Sequence, residues 1–130
     1  MESRKGLNGS ESDKSGIKAI LVPTDFSGYS DAALKTAIDV AHQQDAMIYL
    51  LHVVRSDPTG KERKMIEAQV GRFAGAGSVK IVPDVRKGVS YREILKVQEE
   101  MGIDLIIIPS KIKKRVRAFS KCSMLVVAPK

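Results

Sequence analysis

The stretch Ile20-Leu-Val-Pro-Thr-Asp-Phe-Ser-Gly-Tyr-Ser-Asp-Ala-Ala-Leu34 decides the fold. An apolar run rich in branched residues, Ile17 to Val22, stops at Pro23. A helical pattern begins after Asp25 and Ser27, so the segment reads as strand, tight loop and helix. Asp25 then falls at the carboxyl end of the strand. Open parallel α/β sheets form their ligand crevice at that end, because loops there vary while helices cover both faces.

Working outward, Ala33, Leu34, Ala37, Ile38 and Ala41 recur at helical spacing, with Ser27 or Ser30 as the N-cap. Met47 to Val54 is a nearly continuous apolar strand of the kind buried on both faces. Thr59 and Glu62 predict a capping box ahead of a helix with Met65, Ile66, Val70 and Phe73 inward, ended by Gly75 and Gly77. Val79 to Val85 is a third strand, placed at a sheet edge because Pro83 cannot donate to the ladder. Ser90 and Glu93 repeat the capping-box spacing before a helix with Ile94, Leu95, Val97 and Met101 on its apolar face. Ile103 to Ile108, the most apolar strand, reads as the sheet centre, and Met124 to Ala128 as the last strand. Strands alternating with helices predict a parallel sheet with right-handed crossovers. A chain of 130 residues is long enough for one such domain.

The segment 1–16 is Gly, Ser and charge with almost nothing apolar, and is expected to be a disordered tail ahead of a domain over 17–130. A lone cysteine, Cys122, excludes an intramolecular disulfide framework and suits a reducing compartment. No apolar run reaches the roughly 18 residues of a membrane span, and the N-terminus has no signal-like apolar region, so a cytoplasmic protein is expected. The net charge of +7 is localised: of 22 Lys and Arg, seven follow Pro109 with no acid among them, leaving 15 against 15 acidic residues before it.

Three stretches resemble the universal stress protein family: Pro23-Thr-Asp-Phe-Ser27, Leu50-Leu-His-Val-Val54 and Asp104-Leu-Ile-Ile-Ile108. The resemblance implies a Rossmann-like, three-layer α/β fold with five parallel strands in the order 3-2-1-4-5, and a homodimer through strand 5. In that order the Asp25 loop and the loop after Pro109 face one another where the winding reverses. The resemblance further implies a crevice for ATP or another adenine nucleotide, with Pro23, Thr24, Asp25, Val53 and Ser110 as the nucleotide-binding positions. ATP-binding members hold the phosphates on a G-x-x-G loop followed further on by Gly-Ser or Gly-Thr. Here the loop reads Pro109-Ser110-Lys111-Ile112 and the later pair is missing. Glycines in such loops let backbone N–H groups approach phosphate oxygens, whereas proline has no N–H and isoleucine is β-branched. The family, so altered, implies a regulatory or interaction module of the stress response, with nucleotide or other phosphate-ligand binding as the alternative.

On a helix from Ser110 to Lys121, Ile112, Val116 and Phe119 form one narrow stripe and the cations occupy the rest. A solvated cover for the sheet accounts for that pattern. Yet Lys111, Lys113, Lys114 and Arg115 crowd the first turn, where the helix dipole disfavours each cation by about 0.3–1 kcal/mol. An anion would reconcile them with the free N–H groups, so an anionic protein or a small phosphate ligand is the expected partner. Nucleic acid is disfavoured, because the segment offers no stacking platform beyond the inward Phe119. Asp25 serves equally as a loop-closing acceptor or a ligand group. His42 and His52 lack partners at metal spacing and read as ordinary core or surface histidines, and Cys122 reads as a small buried hydrophobe. No Ser-His-Asp elbow, paired carboxylates or Walker sequence supports an enzyme.

Overall fold

The computed structural model describes residues 16–73, 75, 78–110, 116 and 120–128. The elements in chain order are β1 (Ala19–Pro23), α1 (Gly28–Gln44), β2 (Met47–Val54), α2 (Gly60–Arg72), β3 (Ile81–Lys87), α3 (Ser90–Glu100), β4 (Leu105–Pro109) and β5 (Ser123–Val127). The strands form one parallel sheet in the order β3-β2-β1-β4-β5. The expected order is therefore present, and β3, with Pro83 opposite Leu50, is an edge.

Alternation along the strands sends side chains to two apolar layers. On one face Ile20, Val22, Ile48, Leu50 and Ile107 pack with Leu34 and Ile38 of α1 and Ile66 of α2. On the other, Leu21, Leu51, Ile106 and Ile108 pack with Ile94 and Val97 of α3 and with Val116. Each fully buried Leu or Ile contributes about 1.5–3 kcal/mol relative to exposure, so these layers dominate the fold's stability.

Some local expectations fail for physical reasons. β1, not β4, is the central strand; β4 is equally apolar because helices cover the sheet on both faces at its second position. β4 begins at Leu105 because Ile103 N–H still bonds to Gln98 C=O, while the Asp104 carboxylate accepts from Lys18 N–H at 2.9 Å and Ala19 N–H at 3.0 Å. Ser90 is the first residue of α3 and not its cap; Val89 occupies that place without a side-chain bond, and Glu93 turns inward toward Arg86. Met65 and Met101 are exposed, each lying beyond the arc of its helix that meets the sheet. α2 ends at Arg72, ahead of both glycines. The Thr59–Glu62 capping box is formed as expected, and Ser27 is the N-cap of α1. The expected tail and most of the basic helix lie outside the described residues. Of that helix, Val116 is buried, as its inward stripe requires, and its carbonyl accepts from Ser120 N–H at 2.8 Å.

Candidate functional site

β2 continues past the last β1 pair, Pro23 with Leu51, to pair with β3 as far as Val54. Leu51 C=O turns toward β1, accepting from Thr24 N–H at 2.8 Å, whereas Val54 C=O turns toward β3 and accepts from Gly88 N–H. Backbone groups alternate sides along a strand, so those of Val53 point to the β1 side, beyond where β1 ends. Pro23 to Asp25, Val53 and Ser110 are thus brought to the same carboxyl edge, on the adjacent strands β2, β1 and β4. Lys111, Lys113, Lys114 and Arg115 lie outside the described residues.

The loop after β1 is stitched together by short-range polar contacts. Ser27 N–H and Oγ–H both donate to Asp25 Oδ1, an Asx turn that delivers the chain into α1. Asp25 is exposed on the solvent side of this loop. Its neighbour Phe26 has φ of 67°, a left-handed conformation that costs a bulky residue about 1–3 kcal/mol and persists only where its surroundings enforce it. Two contacts do so: Phe26 N–H donates to Thr24 Oγ1 at 3.0 Å, and the ring lies 4.3 Å from that of His52.

His52 reads as unremarkable in the sequence, yet it belongs to this edge. Its Nδ1 is 2.7 Å from Thr24 C=O, and a carbonyl can only accept, so Nδ1 carries the proton. Beneath the loop, Thr24 is buried, and its hydroxyl lies 2.7 Å from Oε1 of Gln69 on α2. Gln69 is 0% exposed, which matters because an unpaired carboxamide there would be costly. It is paired at both ends, since Nε2 donates to Asp31 Oδ1 at 2.8 Å and the same oxygen accepts from Arg72 at 2.9 Å. The one available signal for Gln69 was a polar residue amid the inward stripe of α2, between Ile66 and Val70. Nearby, Glu62 is held below the usual carboxylate range by its own backbone N–H and by the N–H and hydroxyl of Thr59, with a smaller contribution from His52.

Among the described residues, no group of three or more His, Cys, Asp or Glu is placed to hold a metal, and no helix is long and apolar enough to cross a membrane. A parallel sheet of this order, with its winding reversing between the central strand and β4 and a Pro-Thr-Asp loop on the central strand, defines the class of Rossmann-like α/β modules.

Comparison with known proteins gives that class its family. The model of the universal stress protein family matches residues 16–127. A universal stress protein of Methanocaldococcus jannaschii is 28% identical, over 85% of this chain and 81% of its own. The solved structure of a universal stress protein in complex with cAMP superimposes with a TM-score of 0.78 at 19% identity, covering 87% of this chain and 98% of that one. The universal stress protein from Archaeoglobus fulgidus in complex with dAMP gives 0.73 at 11% identity, covering 85% and 96%. The chain belongs to the universal stress protein family.

Proposed function

We propose that this chain is a non-catalytic regulatory module of the stress response whose crevice retains the adenine side and has exchanged the triphosphate loop for a basic turn. Pro109 carries this reading. It is a buried strand residue paired in register with Val127, and the resemblance to the family matches it to the first glycine of the G-x-x-G loop of ATP-binding members. A proline there donates no N–H to a phosphate. Lys111, Lys113, Lys114 and Arg115 supply charge for an anionic protein partner or a ligand's single phosphate, while the missing run of backbone donors removes the cradle that would seat a triphosphate chain. The cAMP and dAMP carried by the two solved relatives are ligands of that size. Asp25 and Val53 are the groups within the same edge that would meet the base, beside Pro23 and Thr24, with Ser110 joining the basic turn at the phosphate. Self-association through β5 accompanies this reading, since β5 is an edge strand with Leu125 exposed.

Thermal unfolding with AMP, cAMP and ATP tests the proposal. A ligand at 100 times its Kd adds about 2.7 kcal/mol, which raises the Tm of a domain this size by roughly 10 °C. The expected result is a shift with AMP or cAMP, or with an acidic partner, that exceeds the shift with ATP and is abolished when Lys113, Lys114 and Arg115 are all changed to Glu. A larger response to ATP than to AMP would overturn the loop argument.

A further inference from the structure

We infer that Gln69, on α2, is a positioning residue for the crevice loop, acting through Thr24 and Phe26. The nucleotide arm of this inference rests on the function proposed above.

Proton accounting gives the direction of the relay. Thr24 has one hydroxyl proton and two nearby oxygens, Gln69 Oε1 at 2.7 Å and Ser30 Oγ at 3.0 Å. Ser30 directs its own proton to Ser27 C=O at 2.9 Å. The carboxamide oxygen is the nearer and better acceptor, and it is held in that orientation because Nε2 must face the Asp31 carboxylate, which only accepts. With its proton committed to Gln69, Thr24 Oγ1 presents a lone pair to Phe26 N–H at 3.0 Å. That bond holds the left-handed turn at Phe26, which sets both the place of Asp25 beside it and the tilted ring contact with His52.

The relay crosses three elements. It runs from Arg72 on α2, through Asp31 on α1, back to Gln69 on α2 and on to Thr24 in the loop after β1. Its outer end is exposed, with the Arg72 side chain 52% accessible, and its inner end is fully buried. A displacement of α2 therefore reaches the crevice through a hydrogen-bonded chain, without α2 touching what binds there.

The test follows individual backbone amides of the full chain by hydrogen exchange, with AMP titrated in parallel. In Gln69→Met the Phe26 amide is expected to exchange at least tenfold faster while those of Leu21 and Ile107 hold their rates, and AMP affinity to fall about tenfold. The double variant D31N/Q69E reverses the polarity of the pair: the new carboxylate accepts from both the Thr24 hydroxyl and the new amide, while the half-exposed Arg72, which loses its acceptor at that atom, turns to solvent. It is expected to restore the Phe26 rate. If Gln69→Met does not fold, Asp31→Leu removes the outer anchor and should raise the same rate. An unchanged Phe26 rate, a rise shared by the core amides, or a folded double variant without rescue would overturn the inference. Absence of AMP binding to the unmodified protein would defeat the nucleotide reading alone, because the exchange rates still decide whether Gln69 positions the loop.

Discussion

Replacing Arg86 tests how far α3 depends on charge for its seat against the β3 edge. Its guanidinium donates to Asp84 at 3.0 Å and Glu100 at 2.9 Å and lies 3.9 Å from Glu93, while Asp84 also accepts from the Tyr49 hydroxyl at 2.7 Å. Arg86 is 22% exposed, so removing the cation leaves the poorly hydrated Asp84 with the Tyr49 hydroxyl in place of a charged partner, whereas Glu93 keeps Lys96 and the half-exposed Glu100 loses little. An exposed pair is worth up to about 1 kcal/mol and breaking a buried one costs about 3–5, which places Arg86→Met at about 2–3 kcal/mol. Burial alone would lower the Arg86 pKa, but the bonds to Asp84 and Glu100 outweigh it and raise it. Stability from a raised basic pKa is complete below the unfolded value and lost only as pH rises through the folded one, so this contribution persists across the working range. Urea unfolding at pH 7 should therefore show the full loss, with the Tm falling roughly 10 °C. Arg86→Lys should recover only part of it, since an ammonium cannot span the fork. A loss under about 0.5 kcal/mol for Arg86→Met would show that the cluster is an ordinary surface network and refute the reasoning.

Gly88 has φ of 153°, and a Cβ there would lie 2.7 Å from Oε2 and 2.8 Å from Cγ of Glu93, a side chain held by Arg86 and Lys96. Gly88→Ala should cost about 1–3 kcal/mol in chemical denaturation, and less once Glu93 is also changed to Ala. Burial, then the bond to Asp84, raises the Tyr49 pKa. The neutral phenol is thus favoured in the folded state, and its contribution is complete below the unfolded pKa near 10 and lost as pH rises through the higher folded value. Melting curves between pH 9 and 11 should fall less steeply for Tyr49→Phe. Glu62 has the opposite sign: its depressed pKa stabilises above the ordinary carboxylate range and is lost as pH falls through the folded value. Glu62→Gln should accordingly flatten the acid limb of the stability curve. Burial pushes the Cys122 thiol up, so at pH 8 alkylation of the folded chain should be slower than that of the unfolded one; equal rates would contradict the placement of Cys122.

The parallel sheet and the carboxyl end of its first strand were legible because they depend on the signals that sequence carries best, while the strand order came from the resemblance to the family. Runs such as Ile20-Leu-Val and Leu105-Ile-Ile-Ile cannot be satisfied except between two helical layers, and Pro23, Thr59 and Pro83 punctuate them through backbone chemistry that acts locally. The Thr59 box formed where only its own turn was involved. The Ser90 spacing looked the same but failed, because Glu93 found stronger partners in Lys96, one turn on, and in Arg86, which only the packed fold brings near.

The candidate site divides along the same line. Sequence by itself determined that Asp25 ends the first strand, and the motifs that resemble the family implied the strand order that makes Val53 and Ser110 its neighbours, since strand order fixes which loops meet. Only the tertiary structure decided that His52 clasps Thr24 and that Gln69, 45 residues from Thr24 in sequence, accepts from its hydroxyl beneath the Asp25 loop. Those two contacts are hydrogen bonds between groups far apart along the chain. Their existence depends on distances of a few tenths of an ångström, which no periodicity of residue type encodes.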